Sequence, residues 1–148
     1  MRLILFVCGT NRGRSPMAAT YFASLLKQRN IKDMEVASAG LTVHHGDTIY
    51  QEARQVLAAR GLTPLAIGTV QLLPKLVRAA ELIICMTDRQ QEIIESKFPS
   101  AIGKCRPLNA VLKEDTPIAE PAKGDLKDYE RCFDSMIPAL DKLAEIIE

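Results

Sequence analysis

Ten consecutive residues, Val7-Cys8-Gly9-Thr10-Asn11-Arg12-Gly13-Arg14-Ser15-Pro16, put a nucleophile and an anion-binding fork into one short turn. Cys8 ends the apolar run Leu3-Ile4-Leu5-Phe6-Val7, which reads as a buried strand. Arg14 stands where a helical pattern opens. A strand-to-helix turn points backbone N–H groups into one concavity. The helix N-terminus adds unpaired donors and a partial positive charge. Gly9 and Gly13 can take positive φ and let the backbone curl around a tetrahedral oxyanion. Arg14 offers a planar fork that matches two phosphate oxygens. Such a positive bowl favours a cysteine thiolate, and a thiolate facing a bound phosphate is an activated nucleophile. A plainer account is a small buried cysteine at a strand end, with Ser15 as N-cap and Pro16 as first helical residue. The strand before, the glycines and asparagine within, and the Ser-Pro after favour the anion site.

Cys8 to Pro16 resembles the phosphate loop of the low-molecular-weight protein tyrosine phosphatases, Cys-x-Gly-Asn-x-Cys-Arg-Ser-Pro. Cys8, Asn11, Arg14, Ser15 and Pro16 match in register. Three positions depart. Thr10 replaces a glycine, Gly13 replaces the second cysteine, and Arg12 stands where the family has a substrate-facing residue. Ser38-Ala39-Gly40 adds to the likeness. The resemblance implies a cysteine-dependent phosphatase, without metal or cofactor, that hydrolyses phosphomonoesters through a phosphocysteine. Protein phosphotyrosine is the expected substrate, with small phosphomonoesters beside it. Cys8 is then the nucleophile. Arg14 and the loop from Gly9 through Thr10, Asn11, Arg12 and Gly13 bind phosphate. Asn11 shapes the loop, and Ser15 stabilises the thiolate.

Phosphoryl transfer needs an acid for the leaving alkoxide, and the reverse step needs a base for water. The family uses an Asp before Pro, just ahead of the last helix. Here Glu120 precedes Pro121 in Ala119-Glu120-Pro121-Ala122-Lys123-Gly124-Asp125, and Tyr129 fits the family spacing. Glu120 is the expected acid and then base, with Asp125 and Asp128 as fallbacks. Its extra methylene moves the carboxyl outward, and a ~1 Å misplacement can cost about a hundredfold in rate. Ala122 replaces an aromatic wall of the cleft. Arg12 is expected to add positive charge at the mouth, which ranks phosphoarginine below phosphotyrosine. His44 and His45, in the loop Leu41–Thr48, are candidate cleft contacts; adjacent histidines without a third ligand do not read as a metal site.

Strands are expected over residues 2–7, 35–39, 81–86 and 104–108, the last at an edge because of Pro107. Helices are expected from Pro16 to Gln28, after an Asp47 or Thr48 cap, from Pro74, after Thr87 with a capping-box spacing, and from Asp125 to Ile147. Pro138 conflicts with the last helix. Alternating strands and helices imply a single α/β domain with a parallel sheet covered on both faces. The resemblance implies a four-stranded sheet in the order 2-1-3-4, a three-layer sandwich. The reactive loop falls at the carboxyl end of the first strand, where such sheets bind ligands.

The chain has 148 residues, 47% of them hydrophobic and 25% charged, as a one-domain globular protein would. A net charge of +1 gives no nucleic-acid or membrane signature, and no apolar run nears the ~20 residues of a membrane span. With no signal-peptide pattern and no CxxC pair, Cys8, Cys85, Cys105 and Cys132 read as reduced cytoplasmic thiols. A monomer or weak homodimer is expected. Cys85, ending the neighbouring strand, is a candidate disulfide partner for Cys8 under oxidation. Two other functions fit the loop. An arsenate reductase of the same fold would need two further relay cysteines after the third strand, and only Cys105 follows Cys85 before the final helix. A non-catalytic phosphate-binding module would not need the thiol of Cys8.

Overall fold

The computed structural model describes all 148 residues. Four parallel strands, β1 (Arg2–Cys8), β2 (Met34–Gly40), β3 (Leu82–Cys85) and β4 (Cys105–Pro107), pair in the order β2-β1-β3-β4. The expected topology is thus the observed one. β1 is central and fully buried from Ile4 onward, which is why its apolar run does not alternate. Pleating splits that run between two cores. Ile4, Phe6 and Cys8 face α1 (Arg14–Gln28), α2 (Gln51–Ala59) and α5 (Leu126–Ile147). Leu5 and Val7 face α3 (Pro74–Ala79) and α4 (Asp88–Lys97). β4 is a short edge strand, which accommodates Pro107.

Several boundaries differ from the sequence reading. α1 begins at Arg14, so Ser15 is a buried helical residue and not an N-cap. α2 begins at Gln51 behind Tyr50; neither Asp47 nor Thr48 caps it. Thr87 Oγ1 does accept from the Gln90 N–H at 3.1 Å, but the Gln90 side chain reaches back to the Met86 N–H. Pro138 lies inside α5 without ending it. The carbonyl that it leaves free belongs to Asp134, on the helix's exposed face, where water can satisfy it.

Candidate active site

The loop after β1 turns its carbonyls outward. Cys8 O accepts from Leu41 N, Gly9 O from Thr42 N, and Arg12 O from Tyr50 N, at 2.8–3.0 Å. The N–H groups of Gly9 to Gly13 donate to no other backbone group, so the loop's free donors converge on its inside. The left-handed residue is Asn11, with φ 59°, whereas neither Gly9 nor Gly13 has positive φ. Asparagine tolerates that region because its side chain bonds locally. Its Nδ2 donates to Ser15 Oγ at 2.8 Å and Ser38 Oγ at 2.9 Å, and its Oδ1 accepts from Val70 N. Asn11 is therefore a buried brace behind the loop. Gly40 ends β2 against the same turn; a Cβ there would stand 2.8 Å from Asn11 N. Only glycine permits that approach.

Cys8 lies at the floor of a small cavity that it shares with Thr10, Gly13, Arg14, Tyr50, Glu120, Pro121 and Tyr129. Ser15 Oγ stands 3.0 Å from Cys8 Sγ, beneath the loop. Arg14 is 7% exposed. Its Nη1 donates to the Ile118 carbonyl at 2.8 Å, which fixes the guanidinium and leaves its other N–H groups for a ligand. Ile118 N in turn donates to Met86 O at 2.9 Å. Downstream, Ala122 N donates to Asp128 Oδ2 at 3.2 Å. Glu120 lies between these two anchors and reaches the cavity rim.

The fallback acids are committed elsewhere. Asp125 Oδ1 accepts from Asp128 N and caps α5. Asp128 bonds Arg131 and Ala122 N, and those two contacts hold its carboxyl below the usual range. A carboxylate so held is a poor proton donor.

Arg12 does not point into the cavity. Its guanidinium lies 4.1 Å from the centre of the Tyr50 ring, Nε donates to Thr48 O at 2.7 Å, and Nη1 is 4.0 Å from Asp47 Oδ1. The expected free charge at the mouth is thus stacked and paired. His44 and His45 also fall outside, lining a separate hollow with Asp47, Thr69 and Gln71. Ala122 is exposed and does not line the cavity either. Tyr50, which the sequence reading passed over, is the aromatic wall. Its position just beyond the loop Leu41–Thr48 gave no signal of this role in the sequence. Tyr129 forms a second wall, edge-on to Tyr50 with centroids 6.2 Å apart. Burial above all, then the nearby Tyr50, Glu52 and Glu120, pushes its phenol up to about 12. A larger hollow behind Asn11, lined by Pro16, Ala19, Val36, Ile49 and Leu65 among others, holds no cysteine and no charged side chain.

Cys85 is not a partner for Cys8. β1 pairs with β3 as Phe6 opposite Ile84, which sets Val7 beside Cys85 and puts its sulfur on the far face of the sheet. Cys85 instead donates to the Thr87 carbonyl at 3.4 Å, and the neighbouring Cys105 thiol together with burial raises it. A relay from Cys8 to these two cysteines would have to cross the sheet, which removes the arsenate-reductase reading.

A cysteine beneath free amides, an arginine fork and a carboxylate at the rim together suit attack on a tetrahedral oxyanion with proton transfer to the leaving atom. Comparisons with known proteins agree. The family model described as low molecular weight phosphotyrosine protein phosphatase matches residues 3–148. A protein-arginine-phosphatase of Geobacillus stearothermophilus is 32% identical over 146 residues, covering 98% of this chain and 95% of that one. A probable low molecular weight protein-tyrosine-phosphatase, EpsP of Ralstonia nicotianae, is 30% identical, covering 95% of this chain and 92% of its own. A YwlE mutant from Bacillus subtilis superposes with a TM-score of 0.92 at 26% identity, covering 99% of both chains. The chain belongs to the low-molecular-weight protein tyrosine phosphatase family, cysteine-dependent phosphatases that work through a phosphocysteine.

Proposed function

We propose that Cys8 attacks the phosphorus of a phosphorylated protein side chain while the Gly9–Gly13 amides and Arg14 hold the equatorial oxygens. Glu120 protonates the leaving atom, then deprotonates the water that hydrolyses the phosphocysteine. Gly9, Thr10, Asn11, Arg12 and Gly13 serve through backbone donors, and Ser15 through its bond to the Cys8 sulfur. The observation that carries the reading is the shared cavity of Cys8, Arg14 and Glu120. Fallback carboxylates with other partners strengthen the choice of Glu120.

The leading substrate is phosphotyrosine, whose flat ring suits the walls of Tyr50, Tyr129 and Pro121. A second reading, phosphoarginine, gains from the neutralised Arg12 and from a rim carboxylate able to face a guanidinium. Relatives named for that activity, 32% and 27% identical, support it. We place the protein in the cytoplasm as a monomer or weak homodimer, with no nucleic-acid or membrane partner; no helix is long and apolar enough to cross a membrane.

The test is phosphate release from matched phosphotyrosine and phosphoarginine peptides by wild type, Cys8→Ser and Glu120→Gln. Cys8→Ser should abolish release, and Glu120→Gln should slow it by about a hundredfold. The better peptide by kcat/KM names the substrate class. An inactive wild type that still binds vanadate would return the non-catalytic module.

A further inference from the structure

Tyr129 is 3% exposed, yet no buried side-chain oxygen or nitrogen of the protein lacks a partner. Its hydroxyl makes no hydrogen bond to the protein, so the oxygen must open into the cavity that the ring lines. Glu120 lines the same cavity and makes no ion pair or hydrogen bond either. A phenol and a carboxylate thus face one small space, each with bonding capacity unused.

The ring is firmly set. Its Cε2 lies 3.3 Å from where a Cβ on Gly13 would stand, and the ring packs edge-to-face with Tyr50. Gly13 stands where the family has its second cysteine, and the Tyr129 ring packs closely against it. The charged or titratable groups around the phenol are Cys8 and Arg14 in the same cavity, Tyr50 and Glu52 on the α2 side, Glu120 on its loop and Cys132 on α5. They leave the phenol a proton donor throughout the neutral range.

We propose that Tyr129 is a positioning residue for the acid: its O–H donates to one oxygen of the Glu120 carboxyl and turns the other toward the leaving atom. The two departures then belong together. A glutamate carries its carboxyl farther out than an aspartate, on one more rotatable bond. A fixed donor at the cavity wall restores the plane and the distance that proton transfer needs. The inference rests on Glu120 being the acid.

Its test is kcat/KM against pH for two substrates, phenyl phosphate with a poor leaving group and p-nitrophenyl phosphate with a good one. Wild type, Tyr129→Phe, Glu120→Gln and the double variant are compared. Phenylalanine keeps the ring contacts with Gly13 and Tyr50. Tyr129→Phe should lose about tenfold on phenyl phosphate and less than about twofold on p-nitrophenyl phosphate. In the Glu120→Gln background, Tyr129→Phe should change nothing. Equal losses on both substrates that persist in that background would reduce Tyr129 to packing and overturn the proposal. A slow Glu120→Gln beside an unaltered Tyr129→Phe would overturn the positioning alone. A Glu120→Gln enzyme as fast as wild type would remove the acid, and the positioning with it.

Discussion

The Ser15 hydroxyl stands 3.0 Å from the Cys8 sulfur, while its oxygen accepts from Asn11 Nδ2. With a neutral thiol either atom can donate, and the Ser15 O–H also has the Ala39 carbonyl at 3.4 Å; toward a thiolate only the O–H can donate. That bond matters most when sulfur carries full charge, as it does when it leaves phosphorus in the second step. Ser15→Ala should therefore slow hydrolysis of the phosphoenzyme more than its formation. We expect a burst of p-nitrophenol followed by a steady state about tenfold slower. Stopped-flow absorbance measures both phases, and a steady state at the wild-type rate would refute the role.

Arg12 joins the phosphate loop to the chain before α2. It stacks on Tyr50, bonds Thr48 O and pairs with Asp47. Arg12→Ala should destabilise the fold by about 1–2 kcal/mol in a urea titration. It should raise KM for both peptides alike, because the lost charge is already paired. A selective gain on phosphoarginine would mean that the charge acts on substrate after all.

Cys8 and Cys85 occupy opposite faces of the sheet. Peroxide-treated protein, digested without reduction, should yield no Cys8–Cys85 peptide by mass spectrometry. Cys85 should also resist neutral alkylating reagents, being buried against Cys105. Finding the cross-linked peptide would require local unfolding of β3.

Tyr21 on α1 donates to Asp141 Oδ1 on α5 at 2.7 Å. Burial first, then that bond, pushes the phenol up to about 12. A raised folded value favours the protonated form. Its stabilisation is complete below the unfolded value near 10 and is lost as pH climbs from about 10 to 12. Denaturation midpoints at pH 8, 10 and 11.5 should fall across that window, and fall less in Tyr21→Phe. An equal fall in the variant would assign the loss to other groups.

What the sequence disclosed follows from how far apart the contacts lie. Cys8 to Ser15 form one continuous turn, and Glu120 is marked by its adjacent proline, so both were legible. Tyr50 was not, because it joins the wall through a backbone bond to Arg12 and a stack on that side chain. The fate of the Arg12 charge was hidden for the same reason, since Thr48 lies 36 residues away. Ser15 lies against the Cys8 sulfur, as the resemblance implied, and the plainer account of it as an N-cap falls away. The glycines do not use their freedom: the left-handed position goes to Asn11, whose side chain holds three neighbours at once.

The stretch bearing Glu120 is fastened on both sides, at Ile118 by Arg14 and Met86, and at Ala122 by Asp128. Only three residues lie between the fastenings. The conformational entropy of ordering the acid is consequently lost once, when the chain folds, and not again in each turnover. In the proposed mechanism Glu120 would meet the leaving atom at a high effective molarity without a lid having to close. The proton-transfer barrier should then be mainly enthalpic, and turnover should be insensitive to solvent viscosity.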